Sequence, residues 1–206
     1  MTTPDPMAVR RGRRQFLLLA ALFFVPLALA FWLYYGPGDG NPGAKGTNKG
    51  DLVDPARPLP QADLPIAGGS PVRDEFLRGK WSLVYVGDGY CDERCHKALY
   101  LTRQTRIALN KDAGRVERVF LATGGCCDND FLESEHPDLV VAIAASPQAA
   151  AMLAEFPTYD DGPVESAGRI YVVDPLGNLL LSYSASAPDK ALLTDLKKLL
   201  RLSHIG

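Results

Sequence analysis

The feature that most constrains this chain is an uncharged apolar run from Phe16 to Tyr35. About 20 apolar residues in a helix span the roughly 30 Å hydrocarbon core of a bilayer. The run has no polar face, so it predicts a transmembrane helix rather than a core helix. A cleaved signal peptide, with small residues at Ala28 and Ala30, and a twin-arginine signal at 13–17 are the alternatives. All three interpretations export the rest of the chain.

The distribution of basic residues around this run predicts its orientation. Arginines cluster between Arg10 and Arg14, and the next basic residue is Lys45. Under the positive-inside rule, residues 1–15 form a basic cytoplasmic N-terminus and residues 16–35 form a single-pass signal anchor. We therefore expect the rest of the chain on the periplasmic side of a bacterial inner membrane.

Composition separates a tether from a folded domain beyond the anchor. Residues 36–69 are rich in Gly and Pro, which predicts a flexible linker, although 51–60 could dock on the domain in extended form. Residues 70–206 have the length of one ordinary domain. The formal net charge of −2, without a basic stripe, argues against nucleic-acid binding.

Hydrophobic periodicity in this domain predicts alternating strands and helices. Continuous apolar runs predict strands, and stripes at helical spacing predict helices. The expected strands are 81–86, 116–122, 139–144, 169–173 and 179–183, and the expected helices are 95–109, 147–156 and 189–202. The resulting order, β-α-β followed by β-α-β-β-α, is an α/β arrangement of the thioredoxin type.

A C-x-x-x-C pair, Cys91 and Cys95, lies between the first of these strands and its helix. The unsatisfied N–H groups at a helix N-terminus favour a thiolate over a thiol. A thiolate attacks disulfides and also binds soft metal ions such as Cu(I). Cys91 and Cys95 are therefore the candidate catalytic residues and, alternatively, candidate copper ligands.

The anchor, the C-x-x-x-C spacing and the segment 170–178 (IYVVDPLGN) together resemble the Sco/SenC family. Those proteins are membrane-anchored, thioredoxin-like factors of cytochrome c oxidase assembly. The resemblance implies that Cys91, Cys95 and a distant histidine bind one copper ion. It also implies a role at the copper centre of oxidase subunit II, by copper delivery or by reduction of the cysteines of that centre.

One departure from the family changes the expected chemistry. The family's histidine precedes the segment at 170–178, but here that stretch is Glu165–Arg169 and contains no histidine. The two thiolates can still hold Cu(I) linearly. The sequence thus predicts either a thiol–disulfide oxidoreductase or a non-enzymatic Cu(I) chaperone. The expected partner is subunit II or another exported thiol protein.

A second pair of cysteines, Cys126 and Cys127, follows the strand at 116–122. If that strand lies parallel to the strand at 81–86, the cysteines of both loops share one sheet edge. Three interpretations stay open: a resolving thiol for the first pair, a vicinal disulfide that acts as a switch, and structural or inert residues. Four cysteines allow three pairings, between which sequence does not choose.

The remaining hypotheses concern the histidines and other classes of protein. His96 is expected to point away from the neighbouring sulfur of Cys95, while His136 and His204 are expected to be exposed and inert. A non-catalytic docking factor with a structural disulfide is the main alternative function. A c-type haem at the C-x-x-x-C-H segment and a four-cysteine zinc site are minor alternatives.

Overall fold

The predicted anchor forms a single long helix, α1 (Pro6–Tyr35). Within it, Arg10–Trp32 has a mean hydropathy of 2.2 and is long and apolar enough to cross a bilayer. This computed structural model describes residues 6–35, 46–69, 75–127, 129–159 and 162–206. The first residues of the predicted cytoplasmic N-terminus and residues 36–45 of the predicted linker lie outside that range. The chain divides into two units, Met1–Thr47 and Asn48–Gly206.

The second unit is built on a six-stranded mixed sheet in the order β1-β6-β5-β2-β3-β4. Strands β2, β3 and β4 are parallel, whereas β5, β6 and β1 add antiparallel pairings. The strands are β1 (Asp51–Pro58), β2 (Trp81–Gly87), β3 (Val116–Ala122), β4 (Leu139–Ile143), β5 (Arg169–Val173) and β6 (Asn178–Ser184). The expected parallel pairing of β2 with β3 is confirmed, in a register that places Gly87 opposite Ala122.

Helices cover both faces of this sheet. They are α2 (Glu93–Ala108), α3 (Asn129–Glu135), α4 (Pro147–Leu153) and α5 (Asp189–Leu202). Alternating strand residues divide the core in two: Phe120 faces the layer of α2 and α5, and Leu121 faces the layer of α4. The expected α/β thioredoxin-like arrangement is therefore confirmed.

The ordered domain begins earlier than the predicted boundary at residue 70. The segment 51–58, expected as part of the linker, is an edge strand on β6, in agreement with the alternative of extended docking. Its prolines are tolerated because an edge strand has one side without ladder bonds. Buried Asp195 fixes its start by accepting hydrogen bonds from Lys49 N (2.5 Å), Gly50 N (3.0 Å) and the Tyr183 hydroxyl (2.8 Å).

The sequence interpretation also missed α3, which was expected as loop. This short helix begins just beyond the second cysteine pair and carries Phe131 and Leu132 against the α2 layer. The residue directly after α3, His136, lies beneath the layer of α2. Contrary to expectation, His136 is 3% exposed, and its Nδ1 lies 3.1 Å from the guanidinium of the fully buried Arg118.

Candidate thiol site

The carboxyl ends of β2 and β3 carry both cysteine pairs. Cys91 follows β2 through a turn closed by its N–H and the carbonyl of Asp88 (3.1 Å). The loop after β3 is held alongside, since Thr123 N–H donates to the carbonyl of Gly87 (3.0 Å). A shared strand edge thus brings Cys126 and Cys127 next to the C-x-x-x-C turn, as parallel pairing predicts.

Cys91 and Cys95 form a disulfide with their Cα atoms 5.0 Å apart. Cys91 adopts a left-handed backbone conformation (φ 51°), which is uncommon outside glycine and recurs at functional sites. Cys95 lies in the first turn of α2. Both side chains are almost wholly buried, at 4% and 2% exposure.

Asp92 caps the helix that carries Cys95. Its carboxylate accepts from Cys95 N–H at 3.0 Å and from the Arg94 guanidinium at 3.2 Å. The backbone hydrogen bond is the main reason that the pKa of Asp92 lies below its ordinary value. The residue between the cysteines therefore satisfies the helix N-terminus, a role that the spacing Asp92-x-x-Cys95 could have indicated.

A cavity of about 530 Å³ opens beside the disulfide. Its lining combines the two cysteines with aromatic and charged groups: Tyr85, Asp88, Tyr90, Cys91, Asp92, Arg94, Cys95, Thr123, Gly124, Glu165 and Ser166. Burial raises the pKa of Tyr85 to about 12, and the charge of Asp92 adds to that shift. Tyr85 is therefore a neutral donor at physiological pH, and Tyr90 offers a 79%-exposed ring at the rim.

Glu165 and Ser166 also line this cavity; they belong to the segment 165–169, which lacks the histidine that the family resemblance implies. Arg94 reaches across from the C-x-x-x-C turn and donates to the carbonyl of Ser166 at 3.1 Å. Its aliphatic part also approaches Gly168, whose φ is +59°. The place where the family resemblance implies a copper-binding histidine is thus bridged by an arginine.

The described residues contain no cluster of three or more His, Cys, Asp or Glu side chains arranged for a metal ion. As expected, His96 does not join the sulfurs: its ring stacks on Phe131 with centroids 4.0 Å apart. The donor set at this turn is therefore two thiols. Two thiolates suit Cu(I), whereas a three-coordinate site would need a ligand from elsewhere.

Cys126 and Cys127 are paired with each other in the structure. Cys126 is exposed, whereas Cys127 is half-buried and packs against the core cluster that contains Cys91 and Cys95. Of the three pairings that the sequence left open, the structure thus has Cys91–Cys95 and Cys126–Cys127.

Two family profiles match the chain. The profile described as transmembrane-like, thioredoxin-like, C-terminal domain matches residues 81–203, and the transmembrane-like N-terminal domain matches residues 6–37. The chain belongs to the family of the first profile, the transmembrane-like, thioredoxin-like C-terminal domain. This chain combines a transmembrane-like N-terminal domain with a thioredoxin-like C-terminal domain, as the sequence predicted. Among curated proteins, no sequence matches the chain.

Solved structures of the Sco family share the fold. Apo Sco1 from Thermus thermophilus has 22% identity and a TM-score of 0.58, covering 76% of this chain and 99% of that one. Copper-bound ScoI from Bradyrhizobium japonicum has 22% identity and a TM-score of 0.52, covering 69% and 98%. BsSco, described as a cytochrome c oxidase assembly protein with a disulfide switch, has 16% identity and a TM-score of 0.53, covering 74% and 99%. The expected structural resemblance to Sco proteins is confirmed.

Proposed function

We propose that this protein is a membrane-tethered thiol–disulfide reductase that acts in cytochrome c oxidase assembly. The observation that carries the proposal is the Cys91–Cys95 disulfide, which lines an open cavity at the N-terminus of α2. The fold shared with the assembly protein BsSco supports the process. The substrate is a disulfide of an exported protein, foremost the cysteines of the copper centre in oxidase subunit II.

The reaction uses both cysteines in turn. In the reduced protein, one thiolate attacks the substrate disulfide, forms a mixed disulfide and releases one substrate thiolate. The second cysteine attacks the mixed disulfide, which re-forms Cys91–Cys95 and releases the other substrate thiolate. Two electrons pass to the substrate, and its two thiolates take up protons. The dipole of α2 favours the thiolate at Cys95, in the first helical turn.

The location follows from the anchor. The matched transmembrane-like N-terminal domain and the apolar helix α1 support membrane attachment. The arginines between Arg10 and Arg14 favour a cytoplasmic N-terminus, so the thiol site faces the periplasm of a bacterial cell. That compartment is oxidising, and a cysteine pair there needs a reductant to remain a dithiol.

Handling of Cu(I) is the second candidate function. Copper-bound structures of Sco proteins share this fold, and the two thiolates of Cys91 and Cys95 would hold Cu(I) as cargo in linear coordination. The arginine bridge to Ser166, in place of a histidine, leaves the third position without a soft ligand. This second function predicts one copper per chain that survives dialysis against a Cu(I) chelator. Reductase action alone predicts none.

Cysteine replacement in the native host tests the proposal. Cys91→Ser and Cys95→Ser, each in the full chain, should lower the activity of assembled oxidase to the level of a deletion strain. Ser134→Ala, an exposed hydroxyl on α3, should retain full activity. A docking factor with a structural disulfide predicts normal oxidase activity in every variant whose protein accumulates normally. That result would reject the proposed function.

A further inference from the structure

The two cysteine pairs lie in loops whose backbones touch. A Cβ placed on Gly89 would lie 2.8 Å from the Cα of Cys126, so only glycine fits at this crossing. The ring of Tyr90 lies over the neighbouring glycine, since a Cβ on Gly125 would be 3.3 Å from its hydroxyl. The segment that leads into Cys91 is therefore packed directly on the segment that contains Cys126.

The two pairs differ in how accessible they are. Cys91 and Cys95 are 4% and 2% exposed and line a cavity, so a protein thiol can reach either sulfur only through that cavity. Cys126 is exposed at the surface, and Cys127 packs inward on the core cluster that holds the first pair. The vicinal pair thus has one cysteine at the surface and one that packs on the core cluster to which Cys91 and Cys95 belong.

On this geometry, and resting on the proposed function, we propose that Cys126–Cys127 is an internal relay that reduces Cys91–Cys95. Cys126 receives the attack of an external dithiol protein. Cys127 passes the electrons inward to Cys91. The protein then has two consecutive dithiol–disulfide centres, one for its electron donor and one for its substrate.

The relay consists of four thiol–disulfide exchange steps. A donor thiolate attacks Sγ of Cys126, breaks the vicinal bond and frees the Cys127 thiolate. Cys127 attacks Sγ of Cys91, which frees Cys95. The second donor thiolate resolves its mixed disulfide with Cys126, so the donor leaves as a disulfide. Cys126 then attacks Cys127, re-forms the vicinal bond and frees Cys91. Two electrons and two protons move from the donor dithiol to Cys91 and Cys95.

The relay requires Cys127 to come within bonding range of Cys91. Disulfide-bonded cysteines usually have Cα atoms about 4.4–6.8 Å apart. Cys91 follows Gly89 by two residues, within about 7 Å along even an extended chain. The Gly89 backbone contacts Cys126, the chain neighbour of Cys127, so the relay requires the loop to move until Cys127 comes within this range of Cys91.

The first test traps the intermediate in the full chain, purified in detergent. Cys95→Ser/Cys126→Ser leaves Cys91 and Cys127 as the two thiols, and Cys91→Ser/Cys126→Ser is the matched control that leaves Cys95 and Cys127. After mild oxidation with diamide, peptide mass spectrometry should find the cross-loop disulfide at least about tenfold faster in the first variant. Equal rates, or no cross-loop bond in a variant with native circular dichroism, would overturn the relay.

The second test asks whether electrons enter through Cys126 and Cys127, in a chain that is otherwise native. A thioredoxin-type dithiol protein and dithiothreitol serve as large and small reductants, and acid-quenched alkylation follows reduction of Cys91–Cys95. In Cys126→Ser/Cys127→Ser, the ratio of the protein-driven rate to the dithiothreitol-driven rate should fall at least about tenfold, because the large reductant loses its accessible sulfur. An unchanged ratio contradicts the relay.

These outcomes are distinct from failure of the proposed function. If the relay tests fail but oxidase activity still depends on Cys91 and Cys95, only the relay is rejected. Oxidase activity independent of Cys91 and Cys95 removes the proposed function, whatever the trapping experiment gives.

Discussion

The N-terminal end and the middle of α2 have opposite surroundings. At its N-terminal end, Cys95 and the capping Asp92 line an open cavity, and the side chain of Arg94 is 61% exposed. Its middle lies over Arg118, a fully buried cation from β3. Arg118 donates to the carbonyl of Leu99 (2.8 Å), the hydroxyl of Thr102 (3.1 Å) and the carboxylate of Asp138 (2.8 Å), beside the ring of His136.

This difference separates reactivity from stability along one helix. The buried middle is a satisfied polar network, in which removal of one member takes hydrogen bonds from several partners at once. The N-terminal end lines an open cavity, through which a substrate can reach the two cysteines. We therefore expect substitutions at the middle to change folding stability and substitutions at the open end to change thiol chemistry.

The largest expected effect on stability is at the buried middle. Arg118→Met should lower the free energy of unfolding by about 2–3 kcal/mol, because it removes the hydrogen bonds of a fully buried cation to Leu99, Thr102 and Asp138. Urea unfolding of the full chain in detergent measures this. The control Arg103→Met removes a more exposed arginine paired with Glu135 at 3.4 Å, for which about 0–1 kcal/mol is expected. Equal effects would show that the buried network contributes no more to stability than a more exposed ion pair does.

The buried histidine should make stability depend on pH. Burial, reinforced by the charge of Arg118, lowers the pKa of His136 from 6.5 to about 4. As the pH falls, the unfolded chain therefore takes up this proton before the folded chain does. The contribution of His136 is complete above about pH 6.5 and is lost progressively toward about pH 4.

Replacement of that histidine tests the assignment. His136→Gln should flatten the loss of unfolding free energy between about pH 6.5 and 4. His204→Gln, at an exposed position near the C-terminus, should leave the pH profile unchanged. A profile that responds to His204 rather than His136 would contradict the burial of His136.

The smallest stability effect should come from the open end. Asp92→Ala removes the carboxylate that accepts from Cys95 N–H and should cost about 1 kcal/mol, whereas Asp92→Asn keeps an N-cap acceptor and should cost less. Ser146→Ala, which removes the equivalent cap of α4, is the matched comparison. If Asp92→Ala lowered the free energy of unfolding as much as Arg118→Met, the N-terminal end of α2 would be as important for stability as its middle.

Much of the fold was predictable because its core strands are short runs rich in apolar and β-branched residues. The runs at 81–86 and 116–122 predicted β2 and β3, and the Ser146–Pro147 start predicted α4. The missed elements carry weak local signals. β1 contains two prolines and three charged residues (DLVDPARP), and α3 is a short segment (NDFLESE) without a helical apolar stripe. Both elements are positioned by tertiary contacts that local patterns do not contain.

The candidate site was predictable in part for a similar reason. The position of Cys91 and Cys95 follows from a strand followed by a helix, which sequence shows directly. The pairing of Cys126 with Cys127 depends on loop conformation, and sequence left it open. The burial of His136 depends on Arg118, a charged residue within an apolar strand, and only the packing of α3 brings the two together.

The reduction potential of Cys91–Cys95 tests the central claim most directly. The full chain in detergent is equilibrated in glutathione buffers of graded potential, and the reduced fraction of this pair is read by alkylation and mass spectrometry. A redox-active pair should have a midpoint above about −270 mV, in the range of thioredoxin-type proteins. A midpoint below about −300 mV is typical of structural disulfides and would contradict the assignment of Cys91 and Cys95 as the reactive centre.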